Sequence, residues 1–241
     1  MVNAGRMMSP DPAPGQLTLN VGLRDDATLD NFLPTTPLQP LLAALLGQAG
    51  ADGEPVIFLH GAAGSGKSHL LQAACHQVGA GALYLPLEEL GAQRPGEVLQ
   101  GVDAMKLVCI DDLHLVAGDA EWERALFHFF NLARERGCRL LLSAKSAPRA
   151  LALDLPDLRS RLAWGVVFQL PGQTDERRRA ILEFRAGRRG MEMSREVSAY
   201  IVSRAPRGMG DLLQLLESLD AATLREQRVL SRPFVRQVLG W

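Results

Sequence analysis

The segment Gly61-Ala62-Ala63-Gly64-Ser65-Gly66-Lys67-Ser68 constrains this chain more than any other. It matches the phosphate-loop pattern G-x-x-x-x-G-K-[ST] in full, and it stands in the context that pattern needs. Before it runs Val56-Ile57-Phe58-Leu59-His60, a short apolar stretch bounded by turn residues, which reads as a parallel strand buried on both faces. Behind it, a helical pattern covers residues 67–78. Glycines let the backbone turn tightly and approach a phosphate with no Cβ in the way. The exposed N–H groups and the N-terminus of the next helix make an anion cradle. Lys67 supplies a point charge for the β- and γ-phosphates, and the Ser68 hydroxyl is placed for Mg²⁺. Gly61 to Ser68, with His69 beside them on the helix, are therefore the candidate nucleotide-binding residues.

The rest of the chain supplies a frame for such a loop. Apolar runs at Ala82–Leu87, Leu107–Ile110, Leu140–Leu142 and Val166–Leu170 read as further strands. Helical patterns at about 67–78, 96–102 and 120–136 lie between them, and Asp119 is the expected cap of the last. That helix carries Trp122, Leu126, Phe129 and Ala133 on one stripe. An earlier helix, capped by Thr36 and running to about Gln48, presents Leu38, Leu41, Leu42 and Leu45. Strand–helix alternation of this kind predicts an α/β fold: a five-stranded parallel sheet with helices on both faces. Pro171-Gly172 ends the alternation. Beyond it only helices are expected, capped by Thr174, Ser194 and Ser231, with another opening at Asp211. The expected organisation is an N-terminal segment over 1–27, an α/β nucleotide-binding domain over 28–171 and a small all-α lid over 172–241.

A second acidic signal fits the first. Leu107-Val108-Cys109-Ile110 runs into Asp111-Asp112, which places two carboxylates at the C-terminal edge of the sheet, where nucleotides bind in open α/β folds. Asp111 is the candidate holder of Mg²⁺ through water, and Asp112 the candidate that orients or deprotonates an attacking water. Composition narrows the partners. With 26 basic against 27 acidic residues, the chain does not coat nucleic acid by bulk charge. Cys75, Cys109 and Cys138 read as reduced core thiols of a cytoplasmic protein. No apolar run is long enough for a membrane span.

The order of phosphate loop, Ile110-Asp111-Asp112 and an apolar strand ending in Ser143 resembles the AAA+ ATPases, and within them the DnaA branch. The most specific piece is 155–165, Leu-Pro-Asp-Leu-Arg-Ser-Arg-Leu-Ala-Trp-Gly, which is similar to the box that carries the arginine finger in that branch. The resemblance, which covers about residues 16–241, implies that Arg161 is the finger and acts on a nucleotide held by a neighbouring subunit. It implies a catalytic role for Ser143 as well, and places Phe32 and Leu33 against the adenine of bound ADP or ATP. No helix-turn-helix DNA-binding pattern follows the lid. The length and pattern therefore look most like the Hda-like regulators of DnaA.

Gln16-Leu17-Thr18-Leu19-Asn20-Val21 is similar to peptides that dock on the sliding clamp of DNA polymerase III, with Leu17 and Leu19 entering an apolar groove and Gln16 a polar pocket. The expected function is regulatory inactivation of DnaA: a clamp-tethered protein, associated with DNA only indirectly, that promotes hydrolysis of DnaA-bound ATP. The alternative is an autonomous ATPase that loads or remodels a helicase on DNA. A homo-oligomer is compatible with either.

One departure from the family pattern bears on hydrolysis. The lid arginine that senses phosphates falls at Gly210, and Arg207, one turn earlier, is the candidate substitute. Weak or absent intrinsic hydrolysis is expected. Arg178, Arg185 and Arg189 share a face of the first lid helix and read as a solvated basic surface. His114 follows the carboxylates with nothing nearby to complete a triad.

Overall fold

The computed structural model describes residues 22–48, 50 and 52–241. Five parallel strands form one sheet in the order β2-β3-β4-β1-β5: β1 (Val56–His60), β2 (Ala82–Pro86), β3 (Leu107–Asp111), β4 (Arg139–Ala144) and β5 (Val166–Gln169). Register is set by alternation, because successive side chains of a strand point to opposite faces. Val56 and Phe58 enter one core with Val108, Ile110, Leu140 and Leu142. Ile57 and Leu59 enter the other with Leu107, Cys109 and Leu141. Phe58 is paired to Leu142 on one side and Val167 on the other. The central strands are thus sealed on both faces, as their unbroken apolar runs require.

Helices α1 (Gln39–Gln48) and α2 (Lys67–Val78) cover one face. The other is covered by α3 (Leu87–Leu90), α4 (Pro95–Val98), α5 (Ala120–Arg136) and α6 (Pro156–Leu162). Asp119 caps α5, its carboxylate accepting from the Glu121 and Trp122 N–H groups. The predicted stripe of Trp122, Leu126, Phe129 and Ala133 is buried.

Several expectations shift. The helix expected to start after a Thr36 cap begins as a 3₁₀ turn over Thr36–Leu38, which leads into α1. Leu87 opens α3 instead of ending β2, because Pro86 has no N–H to extend the ladder. The helix expected over 96–102 contracts to α4, and the chain turns at Gly101 in the left-handed region (φ 73°). β5 is an edge strand rather than one buried on both faces, and turns Val167 and Gln169 to solvent. The three cysteines are buried and unbridged, and burial pushes the Cys109 thiol well up.

Beyond β5 come α7 (Asp175–Arg188), α8 (Arg195–Arg204), α9 (Met209–Glu226) and α10 (Arg232–Leu239). Thr174, Ser194 and Ser231 each cap a helix by accepting from the N–H three residues on. α9 starts two residues before the expected Asp211. These helices close on their own core of Leu182, Ile201, Leu212, Leu216, Leu219 and Val235. No helix of the described residues is long and apolar enough to cross a membrane.

Candidate nucleotide site

β1 delivers the chain to the loop, and α2 leaves it. Gly64 (φ 73°) and Gly66 (φ 102°) take left-handed backbone that a side chain would strain. At Gly66 a Cβ would also come within 2.9 Å of the Phe32 ring. The turn therefore brings its amides to the N-terminus of α2, where anions are favoured. A cavity of ≈ 220 Å³ opens there, lined by Phe32, Leu33, Gly64, Ser65, Gly66, Lys67, Ser68 and His69. Gly61, Ala62 and Ala63 belong to the loop but do not line the cavity. Lys67 is buried, and its Nζ donates to the Gly61 and Ala62 carbonyls at 3.0 and 3.2 Å.

Phe32 packs 5.9 Å from the His69 ring, centroid to centroid. The His69 Nε2–H donates to the Thr28 carbonyl at 2.8 Å. Burial holds the His69 ring below its ordinary pKa, reinforced by the charges of Arg185 and Arg24 and opposed by the Thr28 hydrogen bond. The lid completes the cavity. Gln173, Arg177, Ile181, Arg185, Met209 and Gly210 line it from α7 and α9 and the turn before α7. The Gln173 amide donates to the Gly64 carbonyl.

The carboxylates form a neighbouring cluster that does not line the cavity. The Asp111 Oδ2 accepts from the Tyr84 hydroxyl at 2.6 Å, and its Oδ1 accepts from the Asp112 N–H at 3.1 Å and from the Ser143 hydroxyl. Ser143, at the end of β4, accepts in turn from the Asp112 N–H at 2.9 Å. Both oxygens of Asp111 are therefore engaged by protein donors. Asp112 is more open, in left-handed backbone at φ 55°. Burial, then the charge of Asp111, pushes its carboxyl up, while Lys67 and His114 pull it down. His114 stands 3.7 Å from Asp112, at ion-pair distance, and no third group joins them among the described residues.

Arg161 stands outside this cavity, on α6. Its guanidinium lies 5.7 Å from the Trp164 ring centroid and 5.9 Å from that of Phe127. Trp164 is 58 % exposed and has Arg134 stacked at 4.3 Å. Gln16, Leu17 and Leu19 lie outside the described residues.

The lid arginines correct the expectation of a solvated basic face. Arg178 is buried, donating to the Val202 and Pro206 carbonyls beside Asp175. Arg185 is buried too, bridging to Asp26 at 2.7 Å and to the Asn31 carbonyl at 3.2 Å. The candidate substitute Arg207 is 87 % exposed, paired to Asp175, and does not line the cavity. It lies before α9 begins, so no helical face carries it inward. Sequence reasoning missed Arg177, Ile181 and Arg185 as cavity residues. Their i, i+4, i+8 spacing places them on one helix face and was the available signal.

Ser65 Oγ, Gln173 Oε1 and Arg177 Nε are buried at this cavity without a partner. A cradle of amides with an ammonium group, the unpartnered Ser65 hydroxyl and the unpartnered Arg177 Nε–H fits an anionic ligand, while Gln173 Oε1 offers only an acceptor.

The comparisons with known proteins agree with this architecture. A family model described as the bacterial DnaA ATPase domain matches residues 89–169, and one described as the lid domain of Hda matches residues 175–239. An uncharacterized protein of Haemophilus influenzae is 40 % identical over 229 residues, covering 93 % of this chain and 98 % of that one. Domain III of DnaA from Thermotoga maritima superposes with a TM-score of 0.72 at 21 % identity, over 91 % of this chain and 98 % of that one. AMPPCP-bound DnaA from Aquifex aeolicus gives 0.68 at 20 %, covering 86 % and 70 %. The RuvB branch-migration motor of Thermotoga maritima gives 0.64 at 16 %, covering 89 % and 71 %. The fold is thus shared with DnaA, residues 89–169 match its ATPase domain and the lid is of the Hda kind: the chain belongs to the Hda-like branch of the DnaA-related AAA+ family.

Proposed function

We propose that this chain is a regulator that binds an adenine nucleotide in its own loop and supplies Arg161 to the active site of a neighbouring ATP-bound DnaA. The observation that carries the reading is the separation of Arg161 from its own nucleotide cavity, on an exposed aromatic face with Trp164, in a chain with an Hda-type lid. A guanidinium so placed serves a phosphate only on another subunit, where it would stabilise charge that develops during phosphoryl transfer. DnaA of Aquifex aeolicus, which shares the fold, is bound to AMPPCP. That supports ADP or ATP as the ligand here.

In this chain Gly64 to Ser68 would hold the phosphates through backbone N–H groups and Lys67, and Phe32 and Leu33 would face the base. Mg²⁺, where present, would supply charge neutralisation at the phosphates. Ser68 would be its direct side-chain donor, and Asp111, whose oxygens already accept from Tyr84, Asp112 and Ser143, would hold it through water. Asp112, paired with Ser143 through its N–H, would orient a water at the sheet edge, and the missing side chain at Gly210 supports slow intrinsic turnover.

Residues 1–27 would tether the protein through Gln16, Leu17 and Leu19 to the polymerase clamp and so, indirectly, to DNA. Residues 28–171 would bind the nucleotide, and 172–241 would form the lid.

Turnover of ATP bound to DnaA, measured with this chain and clamp-loaded DNA, tests the reading. Arg161→Ala is expected to lower the stimulated rate by about 10³-fold, the scale of a lost transition-state arginine. Gln16→Ala/Leu17→Ala is expected to abolish dependence on the clamp. Stimulation by Arg161→Ala equal to that of the unaltered chain would reject the assignment.

A further inference from the structure

Four cationic side chains line the nucleotide cavity, and three are already engaged. Lys67 donates to the carbonyls of Gly61 and Ala62. Arg185 is held by Asp26 and by the Asn31 carbonyl. Arg24 lies 3.9 Å from Asp26. Arg177 differs. Among the described residues its guanidinium has no carboxylate within ion-pair distance, and its buried Nε has no hydrogen-bond partner. The nearby Asp175 is committed elsewhere, to Arg178 and Arg207.

A buried guanidinium nitrogen left unpaired is costly, so its natural complement is an anion in the space it faces. That space is the one Gly64 to Ser68 line with amide donors and an ammonium group. Of the first-turn residues of α9 that line the same cavity, Met209 is uncharged and Gly210 contributes no side chain, and a Cβ built at Gly210 meets nothing within 4 Å. The lid therefore offers phosphate-binding charge from α7 rather than from α9. Burial pulls the Arg177 guanidinium below its ordinary pKa without neutralising it, as expected of a cation that still lacks its counter-charge.

We propose that Arg177 is the lid residue that grips the phosphates of the bound nucleoside polyphosphate, reaching them from α7 while Lys67 reaches them from the phosphate loop. The inference rests on the nucleotide-binding reading above. It makes Arg177 a determinant of how the site prefers a polyphosphate to a bare nucleoside, a duty that neither Arg207 nor the engaged Arg185 fills. A guanidinium carried on the lid also couples lid closure to phosphate occupancy, because both walls must approach before all donors are used.

The test is competition by ADP and by adenosine against a fluorescent ADP analogue, on the full chain, in the Arg177→Gln, Arg177→Lys and Arg207→Gln variants. Thermal midpoints of the ligand-free proteins check that each is folded. Arg177→Gln is expected to weaken ADP by about tenfold or more, the scale of a lost charged hydrogen bond, with adenosine unchanged. Arg177→Lys is expected to recover part of the loss, and Arg207→Gln to bind like the unaltered chain. ADP affinity unmoved by Arg177→Gln, or ADP and adenosine weakened in equal proportion, overturns the proposal while the nucleotide reading stands. Failure of the unaltered chain to bind ADP overturns both.

Discussion

Asp112 and His69 show how single residues around the loop are held in states they would not choose alone. Asp112 sits in left-handed backbone, which costs a non-glycine residue about 1 kcal/mol or more. In return its N–H meets both Asp111 and Ser143. His69 is kept neutral, chiefly by burial and then by the charges of Arg185 and Arg24. The folded chain thus binds fewer protons at this ring than the unfolded chain does. Its contribution to stability is full above about pH 6.5 and is lost as the pH falls through the depressed folded value. Denaturant midpoints measured from pH 8 to pH 5 are expected to fall below about pH 6.5, and to fall less in His69→Gln, which keeps an N–H for the Thr28 carbonyl. Parallel curves would remove His69 as the cause. At this scale the phosphate loop was legible in the sequence because its chemistry is local: eight consecutive residues carry the turn, the donors and the charge. Arg177 was not, because what singles it out is the lack of a partner, and partners come from Asp26, Asn31 and Asp175, distant or already committed.

Elements were legible where one side of the helix or strand pattern is decisive. The limits of α2 and α5 agree with their apolar spacing, and the caps Asp119, Thr174, Ser194 and Ser231 accept the expected backbone bonds. Where glycine, proline or sheet position overrides the pattern, reading failed: α4 is cut short, and β5 becomes an edge strand. A further element-level feature needed the coordinates. Glu123, buried on α5, accepts from Gly118 N–H at 2.8 Å, Asp154 N–H at 3.1 Å and Leu155 N–H at 2.6 Å. One carboxylate thus fixes the turn before α5 and the strand-like segment that launches α6, the helix carrying Arg161. Glu123→Ala leaves these backbone donors without their acceptor and is expected to cost about 3 kcal/mol or more in denaturant unfolding. A change under about 1 kcal/mol would show that the segment is held by other means.

The whole molecule is two packed bodies that share one cavity. The sheet half brings the loop, Phe32 and His69, and the helical half brings Gln173, Arg177 and Ile181. The buried Arg185 ties them, reaching from α7 to Asp26 and Asn31, so the lid is seated on the same N-terminal segment whose Thr28 carbonyl holds His69. The halves themselves could be read from the point where strands stop. Their seam could not, since a charged side chain at a helix face reads as solvated until its acid is found across 159 positions of sequence.

Trp164 adds an optical property to this architecture. Trp122 is sealed in the core at 2 % exposure, whereas the Trp164 indole is largely wet and has the guanidinium groups of Arg134 and Arg161 beside it. Any macromolecule seated over the Arg161 face would dry that ring. The red-side emission of the chain should then shift to shorter wavelength on assembly with ATP-bound DnaA, and Trp164→Phe should erase the shift while leaving the signals of Trp122 and of the half-buried Trp241. A spectrum unchanged at saturating partner would place the contact on another face, so the chain carries its own dye at the surface where its work is proposed to be done.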